Sequence, residues 1–176
     1  GTEATYYQTY SKSYTEGDEV CADGHAACVP KDFNIEGVYT ELDGQPTSWL
    51  GFTGGLRFDS NSVIDRRLSP RAAVFLAKPE KYGVKLLYAE GFRNPSAYEA
   101  FFYDNTSFAA PDHLRAETIS SYEAVAWAKP VPVLSTRLSA FYWDARDVAE
   151  QVPVMLMDGT TLLQFQNGGR FVSQGL

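Results

Sequence analysis

VKLLYAEGFRNPSAYE, residues 84–99, changes character partway along. Val84, Leu86 and Tyr88 alternate with Lys85, Leu87 and Ala89, a period of two that belongs to an extended strand with two different faces. Gly91 relieves crowding where the strand runs out, and Pro95, which has no N–H to offer a neighbouring strand, ends the pairing. The same alternation recurs on both sides. In residues 50–59, Leu50, Phe52, Gly54, Leu56 and Phe58 share one face, and Gly51, Thr53, Gly55, Arg57 and Asp59 share the other. In residues 134–144, Leu134, Thr136, Leu138, Ala140 and Tyr142 oppose Ser135, Arg137 and Ser139. Helical spacing is poorly supported anywhere, because apolar positions recur every two residues and Thr, Tyr, Phe and Val are abundant.

The connections sharpen this reading. Three are short and rich in Gly or Pro: DGQP at 43–46, KPEKYG at 78–83 and KPVP at 129–132. Between them lie longer ones, at 15–31, 60–67, 93–115 and 149–160. Short and long alternate, as in a transmembrane up-and-down β-barrel with short periplasmic turns and long extracellular loops. A soluble sandwich has no reason to put every long loop at one end. The pattern predicts an all-β chain of about eight antiparallel strands, near 2–14, 32–42, 48–59, 67–77, 84–91, 117–128, 134–147 and 161–175.

Composition narrows the function classes. The net charge is −7 with Lys and Arg scattered singly, so no basic cluster suited to nucleic acid is present. No run of eighteen apolar residues exists for a membrane helix, but a membrane β-strand needs only about 9 to 11 alternating residues. Phe58, Tyr88, Tyr142 and the series Tyr6, Tyr10 and Tyr14 fall toward strand ends, where amphipathic rings suit a lipid–water boundary. Arg57, Arg71, Lys85, Glu117, Glu123 and Arg137 should then face the lumen, since Arg or Lys on the lipid side costs about 2 to 4 kcal/mol near mid-membrane.

Three segments, GFRNPSAYE at 91–99, LRAETISSYEA at 114–124 and FQNGGRFVSQGL at 165–176, occur in the order and spacing of a known family. The chain resembles the barrel of the TonB-dependent outer-membrane receptors. Gly91, Phe92, Arg93, Pro95 and Ser96 match the family's GFRAPS block, which an acidic residue follows, with Asn94 for the usual Ala. Glu117, Thr118, Ser121, Tyr122 and Glu123 match its second block, with Ala116 for the usual Pro. Gln166, Asn167, Gly168 and Gly175 match the third, where Gly169 resembles an insertion. The resemblance implies a segment of a 22-stranded barrel, with residues 1–176 all barrel and the signal peptide, plug domain and C-terminal strands lying outside. It further implies a bacterial outer-membrane location and contact with TonB through an N-terminal part. The cargo it implies is a scarce nutrient chelate, a ferric siderophore first and cobalamin or haem next. No chemistry is performed on that cargo, and no cofactor is expected.

Candidate site residues divide into two groups. Arg93 is expected to pair with carboxylates drawn from Glu99, Glu117 and Glu123, fixing strand register. Tyr98, Phe101, Phe102, Tyr103, Asp104 and Phe108 lie in the loop after this strand, where aromatic rings would grip a planar chelate or pack on neighbouring loops. Cys21 and Cys28 are the only cysteines, and six intervening loop residues allow a disulfide in an oxidising compartment; a metal site with His25 is the other reading. No Ser sits in a G-x-S-x-G setting and the two histidines, His25 and His113, fall in loops, so no catalytic constellation is expected. The competing reading is a secreted or surface β-sandwich that binds a ligand without transporting it.

Overall fold

The computed structural model describes residues 2–12, 32–61, 64–78 and 81–176, with side chains described from residue 35 onward except at 97. The described residues form one antiparallel sheet of eight strands in sequential order. These are β1 (Thr2–Lys12), β2 (Asp32–Thr47), β3 (Leu50–Asn61), β4 (Arg66–Lys78), β5 (Tyr82–Arg93), β6 (Glu117–Val131), β7 (Leu134–Met155) and β8 (Thr161–Gly175). One short helix, α1 (Ala97–Phe101), follows β5. Cys21, Cys28, His25 and Tyr14 lie outside the described residues, as do the side chains of Tyr6 and Tyr10.

Two expected turns sit too early, DGQP by four residues and KPVP by two. DGQP does not reverse the chain: β2 continues to Thr47, and pairing with β3 slips between Gly44 and Thr47. Pro46, with no N–H to offer the ladder, is absorbed in that irregularity. The reversal comes at Ser48 and Trp49, where Leu50 N–H donates to Thr47 Oγ1 at 3.1 Å. The β6–β7 connection repeats the device, with a slip between Ala128 and Val131 around Pro130 and a turn at Pro132 and Val133. KPEKYG does turn, with Lys81 N–H bonded to the Lys78 carbonyl at 3.1 Å. At the other end, the expected long loop at 149–160 is mostly strand: β7 runs 22 residues, and only residues 156–160 connect it to β8. The connection at 60–67 likewise shrinks to residues 62–65.

Register settles the two faces, because directly paired residues share one. Val38 pairs Phe58 and Phe58 pairs Leu68; Phe52 pairs Val74, which pairs Leu86; Tyr88 pairs Tyr122, which pairs Tyr142. This apolar face is open, with Leu86 52% and Leu138 62% exposed. A β-sandwich would bury it under a second sheet, whereas the described residues make a single sheet. Arg57, Arg71, Lys85, Glu117, Glu123 and Arg137 all fall on the opposite, polar face, as the alternation requires. Midway along β7 the alternation relaxes. Asp144 sits with the apolar set yet is only 5% exposed, clamped by Arg146 at 2.7 Å and Arg170 at 2.9 Å.

Glycine in these strands seats a neighbour's side chain. Arg71 crosses over Gly55, the residue between it and Glu41 in the register, to pair with the Glu41 carboxylate. A β carbon on Gly55 would sit 2.7 Å from Arg71 Nε. Gly83 carries the Trp127 ring in the same way, and a β carbon there would lie 2.2 Å from Cζ2. Gly83→Ala should therefore push the indole off its seat and destabilise the folded protein by about 1 kcal/mol. Gly54→Ala, with nothing within 4 Å of its added carbon, should leave the thermal midpoint in detergent unchanged.

Candidate functional site

Strand β5 ends at Arg93, opposite Glu117 at the start of β6. The guanidinium reaches two carboxylates at once. Arg93 Nε and Nη2 donate to Glu117 at 2.8 and 2.5 Å, and Nη1 and Nη2 donate to Glu99 at 2.9 and 3.0 Å. Glu117 also accepts the Ala149 backbone N–H from β7 at 2.9 Å. Arg93 and Glu117 together thus tie three strands to α1. Arg93's hydrogen bonds hold the Glu99 carboxyl below its ordinary pKa, against the upward push of partial burial. Glu123 takes no part in this knot. It lies six residues farther along β6, about 20 Å away, and accepts from Ser121 Oγ at 3.4 Å.

The helix follows from local chemistry. Ser96 caps it, accepting the Glu99 N–H at 3.2 Å, and Glu99 reaches back to the Ser96 N–H at 2.7 Å, a reciprocal capping box. Glu99 therefore serves cap and knot together. Gly91 plays a smaller part than its motif position implies. A β carbon there would meet Ile119 at an ordinary 3.4 Å, so the expected crowding is not found.

Beyond α1 the loop returns on itself. Asp104 Oδ1 accepts three successive N–H groups, from Thr106, Ser107 and Phe108, at 2.9, 2.7 and 2.8 Å. Those bonds pull its pKa well below the usual carboxylate range. Asp104 thus folds the loop. Because the folded pKa lies below the ordinary 3.8, its contribution is complete above that value and disappears as pH falls through the folded pKa. Asp104→Ala should speed amide exchange at residues 106–108 about tenfold at neutral pH, whereas Asp104→Asn, which keeps the accepting oxygen, should change it far less.

The rings expected to grip cargo largely grip one another. Tyr98 stacks on Phe102 at 4.6 Å, Phe102 meets Phe108 edge-on at 5.5 Å, and Phe108 stacks on Phe165 of β8 at 6.2 Å. Phe165 is 7% exposed, and Leu162, Leu114 and Ala116 are buried as well. The backbone seals the contact: Leu163 N–H donates to the Ser107 carbonyl and Ala109 N–H to the Leu163 carbonyl, each at 2.9 Å. Leu163 is opposite Pro153 in β7, and its own N–H and carbonyl serve the loop. Tyr103 stays half-buried in the same loop.

A second clip uses Asn167, the motif asparagine of β8. Its Oδ1 accepts the Arg115 N–H at 2.6 Å, while Nδ2 donates to the carbonyls of Arg115 at 3.1 Å and Asp147 at 2.5 Å. Pairing of β7 with β8 slips on both sides of Val148, which faces Gly169, and resumes at Ala149 opposite Asn167. Gly168 is the extra residue of that bulge, and this fixes the register of the third motif. Asp147 has φ 54°, a left-handed backbone uncommon outside glycine and asparagine. Gly175, at the other end of β8, seats the Phe141 ring, 2.7 Å from where a β carbon would be.

What remains open is a cleft of about 620 Å³ between the β3–β4 connection and this loop. Ile64, Asp65, Phe101, His113 and Arg115 are among its walls. Phe101 alone of the six expected contacts lines it. Arg115, 62% exposed, is held by Asp147 at 3.1 Å, and Arg67 donates to the neighbouring Ala116 carbonyl at 3.0 Å. Arg115 lies inside the second motif segment and His113 stands out in the sequence only as a loop histidine, so neither is legible there as a cleft residue.

The profile of the TonB dependent receptor-like β-barrel family matches residues 2–176. Among solved structures, the siderophore receptor PirA from Pseudomonas aeruginosa aligns with 82% of this chain and 30% of its own, at 21% identity and TM-score 0.68. The ferric enterobactin receptor PfeA of the same organism, in a mutant form, aligns with 98% and 29%, at 18% identity and TM-score 0.73. PirA from Acinetobacter baumannii aligns with 99% and 30%, at 15% identity and TM-score 0.70. At these identities the likeness is one of fold, and the chain spans under a third of each solved receptor. No match is found among curated proteins.

Proposed function

The chain belongs to the TonB-dependent receptor-like β-barrel family, and from that membership we propose that it is wall and loop of a bacterial outer-membrane receptor importing a ferric siderophore. Cobalamin or haem is the next cargo in order. The apolar face meets lipid, the polar face lines the lumen, and the connections after β3, β5 and β7 stand outside the cell. TonB engages a part of the receptor outside these residues. The chain contributes binding and shape, with no chemistry on the cargo.

The observation that supports this most is the division of labour in the loop after β5. Tyr98, Phe102 and Phe108 are spent on holding the loop to β8, leaving Phe101, His113 and Arg115 along an open cleft. An exposed arginine beside an aromatic ring suits an anionic, aromatic-rich iron chelate. The likeness to siderophore receptors points the same way. The test is uptake of radiolabelled iron by cells whose only siderophore receptor is the complete protein carrying these residues. TonB-dependent uptake of a ferric catecholate upholds the reading. Uptake of cobalamin or haem alone replaces the cargo, and no TonB-dependent uptake of any of them overturns it.

A further inference from the structure

We propose that the short-turn end of strands β3 to β6 holds one anionic phospholipid on the apolar face, if that face meets lipid as proposed above. A groove of about 770 Å³ runs there between Trp49 and Tyr82, over a floor of Leu76, Val84 and Ala126. The floor is a single cross-strand row, Leu76 paired with Val84 and Val84 with Ala126, so it is continuous with the apolar belt. Trp49 and Tyr82 stand 55% and 56% exposed on either side. An acyl chain matches such a slot, since it needs apolar walls and no hydrogen-bond partner.

The rim selects the headgroup. Lys78 lines the groove and is exposed. Lys81 and Lys129 rise from adjoining backbone positions, the Lys129 N–H donating to the Lys81 carbonyl at 2.6 Å. Among the described residues, none of these three lysines forms an ion pair. Asp43 of β2 pairs with Thr53 on the polar face, away from the groove, and accepts from Thr53 Oγ1 at 2.6 Å. In sequence, the connecting segments 78–83 and 129–132 carry three lysines and a single acid, an excess that leaves the rim positive where a lipid phosphate would lie. A headgroup with a net negative charge answers that excess, whereas a zwitterionic one brings its own cation. Facing aromatic walls with a basic rim also fits a lipid at the interface better than a water-soluble protein surface.

The complete receptor, purified in detergent and offered equal phosphatidylglycerol and phosphatidylcholine, is examined by native mass spectrometry. Wild type should retain one phosphatidylglycerol in clear preference. Each lysine replaced by Gln should reduce that preference about fivefold, and Trp49→Ala with Tyr82→Ala should lower retention of both lipids. Equal retention of the two lipids, or a preference that survives the triple lysine variant, overturns the proposal. So does a photoreactive side chain at position 76 that crosslinks to a second copy or to a periplasmic protein in cells instead of to lipid. Fractionation separates this from the parent reading: a receptor absent from the outer membrane sinks the membrane assignment, whereas a correctly located receptor without the preference sinks the lipid site alone.

Discussion

Arg93→Ala should release the loop of residues 94–116 from the barrel wall and weaken cargo binding by roughly thirtyfold. The guanidinium satisfies both carboxylates of the knot, and Glu99 and Glu117 are only 19% and 15% exposed. Without it two half-buried carboxylates face each other with no cation between them. Hydrogen bonds to charged groups contribute about 1.5–3 kcal/mol each, but Arg93 is itself half-exposed, and water screens part of the loss. A net effect near 2 kcal/mol is the expectation, which is the thirtyfold stated. Hydrogen exchange of the complete receptor locates the change: amides of residues 94–116 should exchange faster while those of β3 and β4 keep their rates. Arg93→Lys should recover less than half of the loss, because a single ammonium cannot fork across two carboxylates. Adding Glu99→Gln and Glu117→Gln to Arg93→Ala should remove the repulsion and restore part of the protection. Unchanged exchange in the loop of Arg93→Ala would show that the ring cluster alone holds it.

The parts of this molecule that could be read from sequence are those that repeat. Alternation gave β3, β5 and the first half of β7 with their faces, because a period of two has one structural meaning. Turns were harder. Pro46 and Pro130 looked like reversals, yet each sits in a slip of register one step before the reversal. A missing N–H is compatible with either place, and only the partner strand decides. The end of β7 beyond residue 147 was missed because residues 144–151, DARDVAEQ, carry polar groups on both faces and blur the alternation. The Arg93 pairing with Glu99 and Glu117 was legible, since both acids lie in the same motif blocks. The helix α1 was overlooked although Ser96 and Glu99 spell a capping box. Phe165 was invisible as a partner of Phe108, because nothing local couples rings 57 positions apart; only the shared edge at Leu163 brings them together.

Asn167→Ala should be nearly as damaging as loss of Arg93, for a different physical reason. The Asn167 amide replaces a missing length of sheet. Where the β7–β8 ladder slips at Val148, it accepts one backbone N–H and donates to two carbonyls, doing for Arg115 and Asp147 what an adjacent strand would have done. Alanine removes all three bonds, two in an exposed and one in a part-buried setting, at about 1 kcal/mol or less each. It also frees Asp147 from the contact that helps hold its left-handed backbone, a conformation that costs about 1–3 kcal/mol and persists only where its surroundings impose it. Asp147 in turn positions Arg115 at the mouth of the cleft. Cargo affinity and amide protection at residues 115–117 and 147–149 should therefore fall together. Asn167→Asp is the sharper probe. It keeps one bond of the three and sets a carboxylate oxygen against two carbonyls, so it should protect these amides no better than alanine. Wild-type protection in the aspartate variant would mean that a single acceptor is enough, and that the bulge holds Arg115 in place without the clip.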